Sequence, residues 1–557
     1  MQASIFQRAG TRACYLLCTA VIFTFLPRAG HAAHDITSLL AGDAAQVQIA
    51  GETVWSTPFL RELYATPDTA PRWHAKQLEV LRRAIAESFS DGLDPHDFLA
   101  ERLDALDTLP GPMREILATE ALARLAFTLR FGKCNPEALD PDWNYSRSFG
   151  NTDPMVWLRE SIASDKLAER LAALRPSDNY YRALVKALGD YRARQEHGEQ
   201  WPSVATGPTL KPGMSDARVA QVRARLIASG EFVETIAAAD ATLYEEPLVE
   251  AVRGFQRRQG LDIDGAVGRG TLAVMNVSLA ERITQLRINL DRVRWVFRDL
   301  EDEALSVNIA AFEAVYLDHG KVRWSGRVIV GKPYRHTPIF KDQLSYVELN
   351  PSWTVPPTIL KEDILPKLRA DPGLLATKKL KLIDFNGKPI DPATIDWRTR
   401  GRAFPYFLRQ EAGPDNPLGR VAFMFPNVHA VYLHDTPSRG LFQLAERAFS
   451  SGCIRIENPL ALAAEVLRDD PRWHRAAIDK AVATGRNQRI NLARKISIML
   501  LYLTAFPGAD GEVQFRRDVY GRDGAVQVAL DAPLRWTPPK DYQPPIHRGF
   551  ERVESEP

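Results

Sequence analysis

Hydrophobic periodicity changes once along this chain, and that change constrains the fold more than any other feature. Up to about Val296, apolar residues recur at three- and four-residue steps, the spacing of one buried helix face. In residues 77–89, Leu78, Leu81, Ile85 and Phe89 make such a stripe; Leu122, Leu125 and Leu129 repeat it within 118–129, and 182–195 continues it. After Leu305 the period drops to two. Residues 307–309, 314–317, 327–330 and 346–349 are short, β-rich and separated by turn residues such as Asp318-His319-Gly320 and Gly331-Lys332-Pro333. The two periods need different architectures, and 557 residues exceed what a single core supports. The expected fold class is therefore multidomain α+β: a helical scaffold, a small three-helix domain, and a mainly β, mainly antiparallel domain with a helical capping insertion.

Punctuation along the chain divides these parts. Residues 34–200 read as the scaffold. A stretch with three Pro and two Gly, 200–213, separates it from a compact unit over 210–280. Within that unit Val249, Val252, Phe255 and Gln256 share a helix face, and Gly260 stands where a helix is capped. The Asp262-Ile263-Asp264-Gly265 run fails the calcium-loop pattern, because its sixth position is Val267 and its twelfth is Ala273, so it reads as a structural turn. Residues 281–304 read as a connector helix, and 305–525 as the β domain. An insertion over 355–404, helical and Pro-rich, interrupts that domain, with strands resuming at 405–409 and 421–425. A lid or binding surface is the expectation, against passive decoration. Residues 459–467 read as a helix, 496–506 and 513–520 as two further strands, and the Pro-rich end, 533–557, as a disordered tail.

The first 33 residues differ from the rest. Arg8 and Arg12 precede the uncharged apolar run 13–26, and small residues follow at Ala29-Gly30-His31-Ala32-Ala33, the order of a secretory signal peptide. The run has 14 residues, where a spanning helix needs about 20. Export to the periplasm is the expectation, with an uncleaved inner-membrane anchor as the alternative. Without that segment's three arginines the chain carries 68 basic and 69 acidic residues, which gives no basic face for nucleic acid. Of four cysteines only Cys134 and Cys453 lie beyond the signal. Two cysteines do not make a disulfide scaffold, though one bridge between them stays open. A free thiol in an oxidising compartment invites a chemical explanation.

The block 428–459 (VHAVYLHDTPSRGLFQLAERAFSSGCIRIENP) contains such an explanation. Read as a strand, 430–434 places Ala430, Tyr432 and His434 on one face and His429, Val431 and Leu433 on the other. In Ser450-Ser451-Gly452-Cys453-Ile454-Arg455, Cys453 and Arg455 share a face while Ile454 and Ile456 enter the core. Asn458-Pro459 then starts a helix as N-cap and first residue. A thiol needs a base or nearby positive charge to act as a nucleophile. His434 can supply the base, Arg455 the charge and a grip on a carboxylate, and the N–H groups of Cys453 and Gly452 an oxyanion hole. From the residues alone, Cys–His acyl transfer and a buried structural thiol stand side by side. His336 reads as solvated near a turn. No Cys or His pair has metal-ligand spacing, and neither a metal nor another cofactor is expected.

Two resemblances shift that balance. The stretch AVRGFQRRQGLDIDGAVGRGTL is similar to the small three-helix peptidoglycan-binding domain. His434 with Ser450-Ser451-Gly452-Cys453-Ile454-Arg455 resembles the signature of YkuD-type L,D-transpeptidases, a His-containing strand followed by S-x-G-C-[IV]-R. Many members carry His where this chain has Ser451. Tyr432-Leu433-His434-Asp435-Thr436-Pro437, together with Asn350-Pro351-Ser352-Trp353-Thr354-Val355-Pro356-Pro357, resembles the YcbB-like subgroup, which has this domain order. The resemblance implies Cys453 as nucleophile, His434 as base oriented by the Asp435 backbone carbonyl, and Gly452 in the oxyanion hole. It implies contacts to peptidoglycan stem peptides from Arg455, Tyr432, Trp353 and Ser451, a 3→3 cross-linking reaction, and inhibition by carbapenems. Other cell-wall synthesis enzymes come into consideration as partners. L,D-carboxypeptidase activity, attachment of a lipoprotein to the wall, and a non-catalytic wall-binding role are the alternatives.

Overall fold

The computed structural model describes residues 35–42, 44–65, 72–147, 149, 152–233, 240–397 and 404–535. The expected signal segment lies outside these residues, as does the tail beyond residue 535. Among the described residues no helix is long and apolar enough to cross a membrane.

The scaffold is helical, with α1 (Ala75–Glu87), α2 (Gly111–Phe131) and α3 (Asn179–Glu196) as its long members. Leu78, Leu81 and Ile85 of α1, and Leu122, Leu125 and Leu129 of α2, are buried in one apolar cluster. Phe89 is not: α1 ends before it, so it leaves the stripe, is 47 % exposed and lies under the Arg192 guanidinium at 3.6 Å. In the three-helix unit, α4 (Glu246–Arg258) buries Val249, Val252, Phe255 and Gln256. Gly260 follows it at φ +64°, the left-handed turn that glycine tolerates without a Cβ penalty. The Asp264 carboxylate accepts from Ala266 N at 2.8 Å and Gln256 Nε2 at 2.9 Å, which makes it part of a turn.

The expected connector, α5 (Leu279–Val296), is a central beam rather than a spacer. A capping box of Ser278 and Glu281 starts it, and every residue from Ile288 to Val296 is buried. Its Asp291 carboxylate, fully buried, accepts from Lys133 N (2.8 Å), Cys134 N (3.0 Å) and Trp295 Nε1 (3.1 Å), and faces Arg294 at 3.4 Å. Asn289 exchanges hydrogen bonds with Thr504 (2.8 and 2.9 Å). One apolar core therefore takes Trp143, Tyr181 and Leu184 from the scaffold, Leu286, Leu290 and Val293 from α5, and Leu305, Phe423 and Ile498 from the β domain. The joints near residues 200 and 304 divide the chain, not the packing. Cys134 sits in this core with Sγ 3.7 Å from the Val526 carbonyl; burial and the neighbouring Asp291 push its thiol pKa up. Both Cys134 and Cys453 are free, so the bridge left open above is not formed. Leu534 N donates to Asp97 at 3.0 Å, and the expected tail lies outside the described residues from 536 on.

The β domain is one nine-stranded sheet built from β1 (Glu303–Asn308), β2 (Glu313–Asp318), β3 (Lys321–Gly331), β4 (Lys341–Leu349), β8 (Val421–Met424), β9 (Leu433–His434), β10 (Ala448–Ser450), β11 (Ile454–Ile456) and β12 (Gln488–Leu501). Strand order is β10-β3-β11-β9-β8-β4-β12-β1-β2, and a further β2–β3 pairing closes it on itself, leaving few open edges. Most pairs are antiparallel, but β9–β11, β10–β3 and β12–β1 are parallel. The capping insertion has its own sheet, in the order β5 (Trp353–Thr354), β7 (Phe407–Gln410) and β6 (Leu380–Ile383), over a core that includes Val355, Leu368, Leu382 and Leu408. Residues 405–409, expected to rejoin the main sheet, therefore belong to the cap, which runs from Trp353 to Gln410. Asn350, at φ +48°, fastens its entry by donating to the carbonyls of Ala481, Val482 and Arg486 at 3.0–3.3 Å. Of the two late strands expected, the first is split: β12 stops at Leu501, and Ala505–Pro507 pairs separately with Val513–Phe515.

Asp291→Ala leaves the Lys133 and Cys134 amides and the Trp295 indole without their buried acceptor. The expected cost is roughly 3–5 kcal/mol of unfolding free energy in denaturant titration.

Candidate active site

The site is set by the parallel pairing of two short strands. Leu433 of β9 lies opposite Ile454 of β11, and His434 opposite Arg455. Ile454 N donates to the Tyr432 carbonyl at 3.1 Å. Leu433, Ile454 and Ile456 are fully buried. Alternation then sends Tyr432, His434, Cys453 and Arg455 to the other face. The Tyr432 and His434 rings are 5.6 Å apart. β9 is shorter than the expected strand, because Ala430 adopts φ +52° inside a turn whose amides, His429 N (3.0 Å) and Val431 N (3.2 Å), donate to Asn427 Oδ1. The His429 ring lies 4.9 Å from Phe340, with Nδ1 3.7 Å from Asp142.

His434 is buried, with Nδ1 2.5 Å from the Asp435 carbonyl oxygen, the contact expected of Asp435. Asp435 has a second role not foreseen. Its buried carboxylate accepts from Arg420 N (2.9 Å) and Arg439 Nη2 (2.8 Å), which pins the residue whose carbonyl orients the ring. Burial and the nearby Arg455 charge lower the His434 pKa to about 3, against the Asp435 and Pro417 carbonyls, which raise it. Burial raises the Cys453 pKa; the Tyr432 N–H and hydroxyl and the Arg455 charge oppose the rise. The thiol lies 3.7 Å from the Ala430 carbonyl. Arg455 Nε is buried without a hydrogen-bond partner. At neutral pH the resting site therefore holds a thiol and a neutral imidazole, next to a guanidinium in want of an anion.

The loop before Cys453 is rigidly held. Gly452 has φ +121°, a conformation L side chains rarely adopt. Its carbonyl accepts from Thr337 Oγ1 at 2.8 Å, Thr337 Oγ1 accepts from Gly331 N at 2.9 Å, and the Tyr520 hydroxyl donates to the Gly331 carbonyl at 2.7 Å. Ser450 Oγ accepts from Gly452 N at 3.1 Å and donates to the Cys453 carbonyl at 2.5 Å. This corrects the oxyanion-hole expectation: the Gly452 N–H is already engaged, while no acceptor for the Cys453 N–H occurs among the described residues. His336 is exposed, as expected near a turn, and its ring stacks on Tyr520 at 4.2 Å beside this loop. Trp353 is half-buried and packs against the cap's own apolar cluster. Ser451 Oγ accepts from Arg335 Nη1 at 3.0 Å, and the same guanidinium binds Glu362 (2.8 Å) and Asp363 (2.5 Å) of the cap. Asn458 enters the next helix at φ +54° without a side-chain cap.

Arg335, Ser450, Thr337 and Tyr520 were not foreseen as site residues. Arg335 stands next to His336 in a segment already singled out, but nothing in the sequence links it to acids 27 and 28 positions away. Among the described residues no group of His, Cys, Asp and Glu could hold a metal ion.

Alkylation of Cys453 by iodoacetamide is expected to be slow at neutral pH and to rise with pH through a midpoint above the ordinary thiol value of 9.0, followed by mass spectrometry. For His434, the unfolded chain takes up a proton near pH 6.5 and the folded chain only near 3. Stability is then complete above pH 6.5 and falls as pH drops toward 3, at about 1.4 kcal/mol per pH unit. His434→Gln should remove that increment from the acid limb of the unfolding curve.

Residues 302–473 match the model of the YkuD L,D-transpeptidase catalytic domain, 58–188 a scaffold domain, and 215–275 a domain described as "Putative peptidoglycan binding domain". A Haemophilus influenzae protein described as "Putative L,D-transpeptidase" is 36 % identical over 266 residues. That match covers 48 % of this chain and 53 % of the relative, so the chain spans about half the length of the curated relative it matches. The chain carries a YkuD-type L,D-transpeptidase catalytic domain together with a scaffold domain and a peptidoglycan-binding domain.

Proposed function

We propose that this chain is a periplasmic L,D-transpeptidase that forms 3→3 cross-links between diaminopimelate residues of peptidoglycan stems, through a thioester on Cys453. The observation that carries the reading is the single face shared by Cys453, Tyr432, His434 and Arg455, with His434 Nδ1 held by the Asp435 carbonyl. The match to the YkuD catalytic domain supports the reaction class.

In this reading Cys453 attacks the carbonyl between diaminopimelate and the terminal D-alanine of a tetrapeptide stem. The thiol proton passes to the ring nitrogen of His434 that Asp435 does not hold, as the C–S bond forms. The C–N bond then breaks, and the proton leaves on the amine of D-alanine. Hydrogen bonding of Nδ1 to a carbonyl makes the other nitrogen the acceptor. The low basicity of His434 makes it a reluctant base but a ready acid, which suits the second transfer. In the second half a neutral amine from another stem attacks the thioester. A C–N bond forms, the C–S bond breaks, and the amine proton goes to sulfur. The Cys453 N–H receives the oxyanion, and Arg455, with Tyr432, meets charge on the substrate or on the departing thiolate. Carbapenems would acylate the same sulfur.

Incubation of the signal-free protein with disaccharide-tetrapeptide, followed by mass spectrometry, tests this. A cross-linked dimer with release of D-alanine is expected, and Cys453→Ala should abolish it. A dimer that survives this substitution overturns the nucleophile; tripeptide without dimer makes the protein an L,D-carboxypeptidase.

A further inference from the structure

Between the scaffold and the β domain lies a cavity of about 570 Å³. Ser451 and Gly452, the two residues leading into Cys453, form part of its wall, and the scaffold segment 136–143 forms another part. The wall carries charges of both signs. Arg292 and Arg522 flank the Tyr502 ring at 5.2 and 5.8 Å, neutralised by Asp523 and Asp140. Arg522 Nε and Trp143 Nε1 are buried in this wall without a hydrogen-bond partner. Asp142 is different: its side chain is 40 % exposed, and Nδ1 of the His429 ring lies 3.7 Å from it. Leu139, Ile339 and Val431 supply apolar surface. Donors, an exposed carboxylate and apolar surface are what an α-amino-acid group needs for its carboxylate, its amine and its side chain.

Reaction symmetry gives such a group a place here. Expulsion of an amine from the tetrahedral adduct and attack by an amine on the thioester are the same step in opposite directions. Both amines must therefore pass through the same space. The departing amine is D-alanine, and the incoming one is the D-centre of diaminopimelate; each bears a carboxylate beside the nitrogen.

Resting on the function proposed above, we propose that the scaffold–β-domain cavity is the subsite for this D-α-amino-acid group, holding D-alanine as it leaves and the acceptor's D-centre as it attacks. The scaffold is then a wall of the reaction chamber.

Two substitutions in the full signal-free chain test it. Asp142→Asn removes the carboxylate. Ala525→Trp, at an exposed position in the cavity wall on the helix Asp523–Asp531, fills the space without disturbing a buried residue. Calorimetric titration with D-alanine and with meso-diaminopimelate should show binding by the wild type, weakened about tenfold or more in each variant. Release of D-alanine from tetrapeptide and dimer formation should fall by a similar factor, while iodoacetamide, which needs no subsite, alkylates Cys453 at the wild-type rate. A wild type that binds neither amino acid overturns the subsite, as do variants with undiminished binding and transfer. Loss of alkylation in step with transfer also overturns it, since the damage would then lie at the thiol. A wild type that binds both amino acids but forms no thioester sinks the proposed function and leaves the subsite standing.

Discussion

The parallel pairing of Leu433–His434 with Ile454–Ile456 is the constraint on which the site depends. A sheet side chain can face only one way, so burial of Leu433, Ile454 and Ile456 forces Tyr432, His434, Cys453 and Arg455 to the opposite face. Slippage by one residue would bury the imidazole's neighbours and expose the core. The driving force for register is thus hydrophobic, while the residues it positions are polar. Gly452, Ser450 and Thr337 then hold the peptide before Cys453 in a conformation that engages the Gly452 amide and leaves the Cys453 amide without an acceptor among the described residues.

Around this ladder the other parts of the chain are fastened to the sheet. α5 runs through the centre, and its Asp291 fastens the scaffold loop at Lys133 and Cys134. A buried carboxylate is tolerable there because backbone amides and an indole satisfy it. The cap is tied to the catalytic loop by Arg335, which reaches Ser451 and two acids of the cap at once. The same low-dielectric surroundings depress His434 and raise Cys453, so the pair rests uncharged. Reactivity must then come with the substrate, whose charge and exclusion of water alter both groups.

Much of this was legible beforehand. The period change near Leu305 separated helical from β architecture, and the turn at Gly260, the Cys453–Arg455 face and the Tyr432–His434 face followed from alternation and spacing, while the pairing of the two strands made those faces one. The misreadings share one cause, a local pattern cut short by backbone geometry or tertiary contact. Ala430 turns left-handed, so the strand before His434 shrinks. α1 stops before Phe89, so the stripe does. Phe407–Gln410 alternates as any strand would, but pairs with the cap because Trp353 and Leu380 lie beside it.

The sequence by itself determined the order of modules and which residue types share a face, because alternation and helical spacing are properties of neighbouring residues. Only the tertiary structure decided which amide can receive an oxyanion, how strongly His434 is desolvated, that the connector is a core helix, and that Arg335 joins cap to loop. Those outcomes depend on groups far apart in the chain, such as Thr337 with Gly452 and Asp291 with Cys134. Hydrogen-bond directions and burial at such contacts are fixed by packing, which no local pattern encodes.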